Sequence, residues 1–171
     1  MQINVSQLLR EPIGSTRDYP VNEEIDISEG GDPHPVRGEI RLLRTQRSIL
    51  AKCSLSTDIE LVCSRCLSPF HHPLSVNFEE EYRPTVDADT GAPLPAPEDS
   101  NSFTIDEHHI LDTTEATRQY ALTAVPMKPL CRQDCPGLCP RCGHNLNNGE
   151  CSCPAESSDP RWSKLARLLK K

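Results

Sequence analysis

The sequence predicts an α+β fold: an antiparallel β-sheet or partly open barrel with a few helices and a small C-terminal zinc-binding module. Apolar and polar residues alternate with period two between Val36 and Phe78, as in strands with one buried face. One stretch of helical periodicity follows near residues 112–125. Of nine cysteines, six fall between residues 131 and 153, and Cys63 and Cys66 form a further close pair.

The strand signals come in four sets. Val36, Gly38, Ile40 and Leu42 alternate with Arg37, Glu39, Arg41 and Leu43. Ile49, Ala51, Cys53 and Leu55 repeat the pattern, as do Thr57, Ile59, Leu61 and Cys63. Phe70, His72, Leu74, Val76 and Phe78 make the fourth set. Short polar breaks favour antiparallel neighbours. Pro73 has the opposite parity, so that strand is expected to be an edge or to bulge there.

The chain divides into a β-rich domain over residues 1–83, an acidic Pro-rich linker over 84–104 and a helix packing on the sheet over 105–126. A Cys-rich zinc module over 127–154 and a C-terminal helix over 155–171 complete it. The linker holds four prolines and no Lys or Arg, which predicts an extended, mobile segment. In the helix, Asp112 is the expected cap with Glu115 completing a capping box. Ala116, Tyr120 and Ala124 would share its buried face, and Pro126 and Pro129 end it. Asp159 and Pro160 open the last helix, with Trp162, Leu165, Leu168 and Leu169 as its apolar stripe.

Composition narrows the function. Hydrophobic residues are 36% and aromatics 4%, too few for a large self-sufficient core, and bound metal is one remedy for that. The formal charge of −7 argues against non-specific coating of DNA. No apolar run approaches the ~18 residues of a membrane span, and no basic, then apolar, leader opens the chain. A cytoplasmic protein with reduced thiols is expected.

Cys63-Ser-Arg-Cys66 and Cys139-Pro-Arg-Cys142-Gly143 are C-x2-C pairs. Two intervening residues let both sulfurs face one ion from one turn, and Gly143 supplies the positive φ such a turn favours. Tetrahedral Zn²⁺ takes four ligands, so eight cysteines predict two structural zinc ions. Cys139, Cys142, Cys151 and Cys153 would form one local site. Cys63 and Cys66 would join Cys131 and Cys135 in the other, tying the sheet to the C-terminal module. The alternative groups Cys131, Cys135, Cys139 and Cys142, with Cys151 and Cys153 crossing to the sheet. One member of the tight C-x-C pair is a potential bystander, with His144 its natural substitute. Disulfides, a redox pair at Cys63 and Cys66, and an iron–sulfur cluster rank below zinc. Cys53 reads as a buried small hydrophobe, and His71, His72, His108 and His109 as surface or loop residues. No catalytic constellation is visible, and all-cysteine sites are closed. The Glu79-Glu80-Glu81 run reads as a solvated strand end.

Cys63-Ser-Arg-Cys66-Leu-Ser-Pro-Phe70 resembles the hallmark of the YceD-like family, the large ribosomal RNA subunit accumulation proteins. Pro126-Met-Lys-Pro-Leu-Cys131, Gly137-Leu-Cys-Pro-Arg-Cys-Gly143, Asn145-Leu-Asn147 and Asp159-Pro-Arg-Trp-Ser-Lys-Leu165 fit as well. The resemblance runs from about Gly38 to the C-terminus. It implies a bacterial or organellar protein needed for 23S rRNA accumulation, which is a process and not a mechanism. The expected function is therefore a non-catalytic factor for large ribosomal subunit biogenesis that binds rRNA, a ribosomal protein or both. No membrane or small-molecule substrate is expected. Candidate RNA contacts are Arg37, Arg41, Arg44, Arg47, Arg65, Arg141, Arg161, Lys164 and Arg167. The alternative is a zinc-stabilised protein–protein adaptor without direct RNA contact, its acidic linker holding a basic partner.

Overall fold

The computed structural model describes residues 1–27, 32–95 and 102–154. Its strands are β1 (Gln2–Asn4), β2 (Thr16–Ile25), β3 (His34–Arg44), β4 (Ile49–Val62), β5 (Pro69–Pro84), β6 (Phe103–Ile105) and β7 (Ile110–Asp112). They form one sheet in the order β1-β7-β6-β5-β4-β3-β2, curled into a half-barrel. Helices α1 (Ser6–Arg10) and α2 (Thr114–Ala124) accompany it.

The predicted alternation is the buried face of this sheet. Val36, Ile40 and Leu42 of β3 meet Ile49, Ala51, Cys53, Leu55 and Ile59 of β4 and Leu74, Val76, Phe78 and Tyr82 of β5 in one core. The two sets read between Ile49 and Cys63 are a single strand, because Ser56 and Thr57 keep the parity. β4 pairs with β5 from Ile49↔Tyr82 to Val62↔Pro69, a long antiparallel hairpin that ends at the first cysteine pair. At Pro73 the expected edge is present: β5 faces Asp58 of β4 there, while β6 reaches only Tyr82, Arg83 and Pro84. A missing N–H costs nothing on such a flank. The β5–β6 pairing is parallel, whereas only antiparallel neighbours were expected. Gly38 permits close approach of β3 to β4: with φ +152°, a Cβ there would lie 2.1 Å from the Ser54 carbonyl oxygen.

α2 lies on β5, with Ala116, Thr117 and Ala121 buried. Tyr120 stacks on Phe78 at 4.5 Å and donates to the Glu80 carboxylate at 2.7 Å. The N-cap is Thr113, whose side chain makes no capping bond, and not the expected Asp112, which accepts the Thr114 N–H at 2.8 Å from one residue earlier. The capping box is absent, because Glu115 instead takes Arg118 and Gln119. Ala124 is exposed: the buried stripe is centred one residue round the helix from the expected one.

The span read as linker is folded where it is described. The Asp87 carboxylate accepts the Asp89 and Thr90 N–H groups and the Thr90 hydroxyl, closing a turn. Thr85 donates to the Ile105 carbonyl, and Leu94 to that of Thr85. Phe103 and Thr104 already belong to β6. An Asx-type turn replaces the missing apolar contacts. The last predicted helix lies outside the described residues.

Candidate metal centre

The two C-x2-C pairs sit in separate turns of the same kind. In the first, between β4 and β5, the Cys63 N–H donates to the Ser68 carbonyl at 3.0 Å, and the Leu67 N–H to that of Cys63 at 3.0 Å. In the second, the Cys139 N–H donates to the His144 carbonyl at 2.8 Å, and the Gly143 N–H to that of Cys139 at 2.9 Å. The fifth residue of each has positive φ, 57° at Leu67 and 73° at Gly143. This closure turns backbone N–H groups toward the sulfurs, as the 3.5 Å approach of the Arg65 N–H to Cys63 Sγ shows.

The eight cysteines gather into two groups of four: Cys63, Cys66, Cys131 and Cys135, and Cys139, Cys142, Cys151 and Cys153. All four sulfurs of each group lie within 4.8 Å of one another. Cys63 and Cys135 are 3.9 Å apart, and Cys66 and Cys131 are 3.7 Å apart. A tetrahedron with metal–sulfur bonds of ~2.3 Å has edges of about 3.8 Å, so these thiolates fit a divalent ion. A disulfide needs ~2.05 Å, and every cysteine is free. The grouping is the favoured one from the sequence. The crossed alternative is not formed, and His144 joins neither group.

Electrostatics favour a cation in each group. Backbone N–H groups, led by that of Cys131, pull the Cys63 thiol down to about 6 against the opposing effect of burial. The N–H groups of Cys142 and Arg141 do the same at Cys139, also to about 6. The Asn147 amide lowers Cys135. Burial and neighbouring sulfurs push Cys131 up to about 12. Cys153 rises to about 12, chiefly through Cys142. Each group thus makes its first thiolates easily and resists the last until a metal offsets the charge. Cys53 is different: burial alone pushes it to about 12, and it stays an inert core side chain.

The first group is braced from outside. Asn147 Nδ2 donates to Cys135 Sγ at 3.3 Å. Arg65 Nη1 donates to the carbonyls of Cys135 at 2.9 Å and Gln133 at 3.3 Å. Asn145 reaches Ser68 Oγ at 2.9 Å, and the Leu146 N–H reaches the Gly137 carbonyl at 3.0 Å. The 3-10 turn Leu146–Asn148 therefore links the two cysteine turns. No role was read for Asn145 and Asn147 from the sequence; their signal was the Asn-x-Asn spacing just past the second cysteine pair.

Residues 51–169 match the family described as large ribosomal RNA subunit accumulation protein YceD, a span that takes in both cysteine groups. The chain belongs to the YceD family. It is 30% identical to an uncharacterized protein of Mycobacterium tuberculosis over 131 residues, 77% of this chain and 60% of that protein. It is 28% identical to one of Mycobacterium leprae over 153 residues, 85% of this chain and 64% of that protein. An Arabidopsis thaliana protein named large ribosomal RNA subunit accumulation protein YCED homolog 1, chloroplastic, is 24% identical over 84% of this chain and 51% of its own length. The chain thus spans about 60% of the Mycobacterium tuberculosis relative. No solved structure matches it.

On this YceD-family fold the candidate RNA contacts differ in availability. Arg37 is exposed on β3. Arg41 is held by Asp18 through bonds of 2.6 and 3.2 Å, a pairing that lowers the Asp18 carboxyl. Arg44 donates to the Ser48 carbonyl at 3.2 Å, while its Nε is buried without a partner. Arg47 and Arg141 are exposed. Arg65 is spent on the Gln133 and Cys135 carbonyls, because the cysteine-rich segment brings those acceptors to it. Arg161, Lys164 and Arg167 lie outside the described residues. Among the described residues, no helix is long and apolar enough to cross a membrane.

Proposed function

We propose that this YceD-family chain is a non-catalytic factor for large ribosomal subunit biogenesis that supports 23S rRNA accumulation by binding rRNA, a ribosomal protein or both. The observation that carries this reading is the family match over residues 51–169, which includes both four-thiolate groups. In this reading each group holds one structural Zn²⁺, and the cytoplasm is the site of action. Cys63 and Cys66 anchor the sheet hairpin, and Cys131 and Cys135 the C-terminal module. Zinc held by four thiolates has no open position for water or substrate, which supports a binding role over catalysis.

The test is sedimentation of the zinc-loaded chain with large-subunit precursor particles over a range of salt. Co-sedimentation that weakens as salt rises is expected if phosphates are contacted. No association with any ribosomal particle overturns the proposal. A second reading, an adaptor without RNA contact, draws support from the charge of −7 and from the engagement of Arg41 and Arg65 with acceptors in their own chain. Co-purification with one ribosomal protein after nuclease digestion distinguishes it.

A further inference from the structure

A cleft of about 1020 Å³ lies where the turn after β3, the end of β5 and the turn at Asp87 meet. Three arginines from separate places line it: Arg44 at the end of β3, Arg47 in the turn that follows, and Arg83 near the end of β5. We propose that this cleft binds the phosphodiester backbone of single-stranded RNA, with these three guanidinium groups as the phosphate donors. The inference rests on the rRNA-binding reading above and gives it a location.

The arginines have donors to spare. Arg47 is exposed. Arg44 gives Nη1 to the Ser48 carbonyl at 3.2 Å and its Nε is buried, so only the rest of its guanidinium can face the cleft. Arg83 makes a long contact of 3.8 Å to Glu81. Guanidinium forks of this kind suit phosphate oxygens.

The carboxylates in the same lining are already engaged. Glu81 accepts the Ser48 hydroxyl, Asp87 takes three donors of its own turn, and Asp89 faces Arg10 at 3.8 Å. Glu81 also faces Arg83, and the three carboxylates offset the charge of the three arginines. Attraction is therefore short-ranged, through direct contacts and not through a broad positive field. Pockets of roughly 300–1,000 Å³ enclose drug-sized ligands, so the cleft has room for one or two nucleotides.

The test uses the zinc-loaded chain and a fluorescein-labelled oligouridylate, read by anisotropy over a salt series. Arg47→Ala with Arg83→Ala should weaken binding at least about tenfold and flatten the salt slope by about 1.4, the share of two single-strand phosphate contacts. Both side chains are substantially exposed, so folding and zinc content should hold, and both are checked. Lys52→Ala, at a lysine paired with Glu79 outside this cleft, should leave binding unchanged. Equal affinity and slope in the double variant overturn the proposal. Full displacement of the oligouridylate by inorganic phosphate at equal phosphate concentration also overturns it, because the cleft is then a small-anion site. Loss of oligouridylate binding in the double variant, with no particle association by the parent chain, sinks the proposed function and leaves this site standing. Particle association indifferent to the double variant does the opposite.

Discussion

Leu67 and Gly143 hold the same place in two copies of one turn. Each donates its N–H to the carbonyl of the first cysteine of its pair, and each has positive φ. Glycine adopts this conformation freely, whereas a leucine there costs roughly 1–2 kcal/mol. Leu67 is 63% exposed and contributes little burial in return. Leu67→Gly should therefore raise stability by about 0.5–1 kcal/mol after the unfolded-state entropy of glycine is counted. Gly143→Ala should cost about 1 kcal/mol, through φ alone, since a Cβ there meets nothing within 4 Å. Urea unfolding of the zinc-loaded variants checks both signs.

The Asn147 amide donates to Cys135 Sγ and would orient it as a ligand. Such partners typically change metal affinity about 10–100-fold. Asn147→Ala should weaken the first site by that order and spare the second, read by chelator competition with two separable steps. Arg65→Ala should act on the same step, because Arg65 holds the Gln133 and Cys135 carbonyls.

Gly38→Ala places a methyl group against the backbone oxygen of Ser54. No side-chain rotation relieves that contact, so β3 and β4 must separate. A loss of about 3 kcal/mol is expected, at the upper end of overpacking costs. Unfolding midpoints measure it, and a loss under about 1 kcal/mol would mean that the strands part easily at this point.

Asp112 holds the first N–H of α2, and its carboxyl lies below the ordinary range. Burial raises it, but the hydroxyl and N–H of Thr114 and the amide of Gln2 outweigh burial. A depressed carboxyl stabilises the fold above its unfolded value near ~3.9, and that contribution is lost as pH falls through the lower folded value. Asp112→Asn should therefore be less stable than the parent at pH 7, with the gap closing only below about pH 4. Urea midpoints of both proteins across that range show it, and the cysteine sites cancel in the difference.

The middle of the fold was legible because β3, β4 and β5 each bury one side and expose the other. β2 was not, since Val21 and Ile25 are its only buried residues. As an edge strand with polar side chains it carries almost no period. β1, β6 and β7 have three residues each, too few for periodicity to register. The cysteine grouping was readable because two residues between sulfurs restrict what a pair can reach. The role of Arg65 was not, because its acceptors come from 68 and 70 residues along the chain. Nor was the turn at Asp87, where local hydrogen bonds order a stretch whose composition suggests disorder.

Two four-cysteine groups that could each hold one divalent ion are the centre of this description, and native mass spectrometry addresses them directly. The parent chain should carry two zinc ions, and Cys63→Ser and Cys139→Ser should each carry one. A folded parent chain with no metal, or a Cys63→Ser variant that still carries two ions, would contradict it.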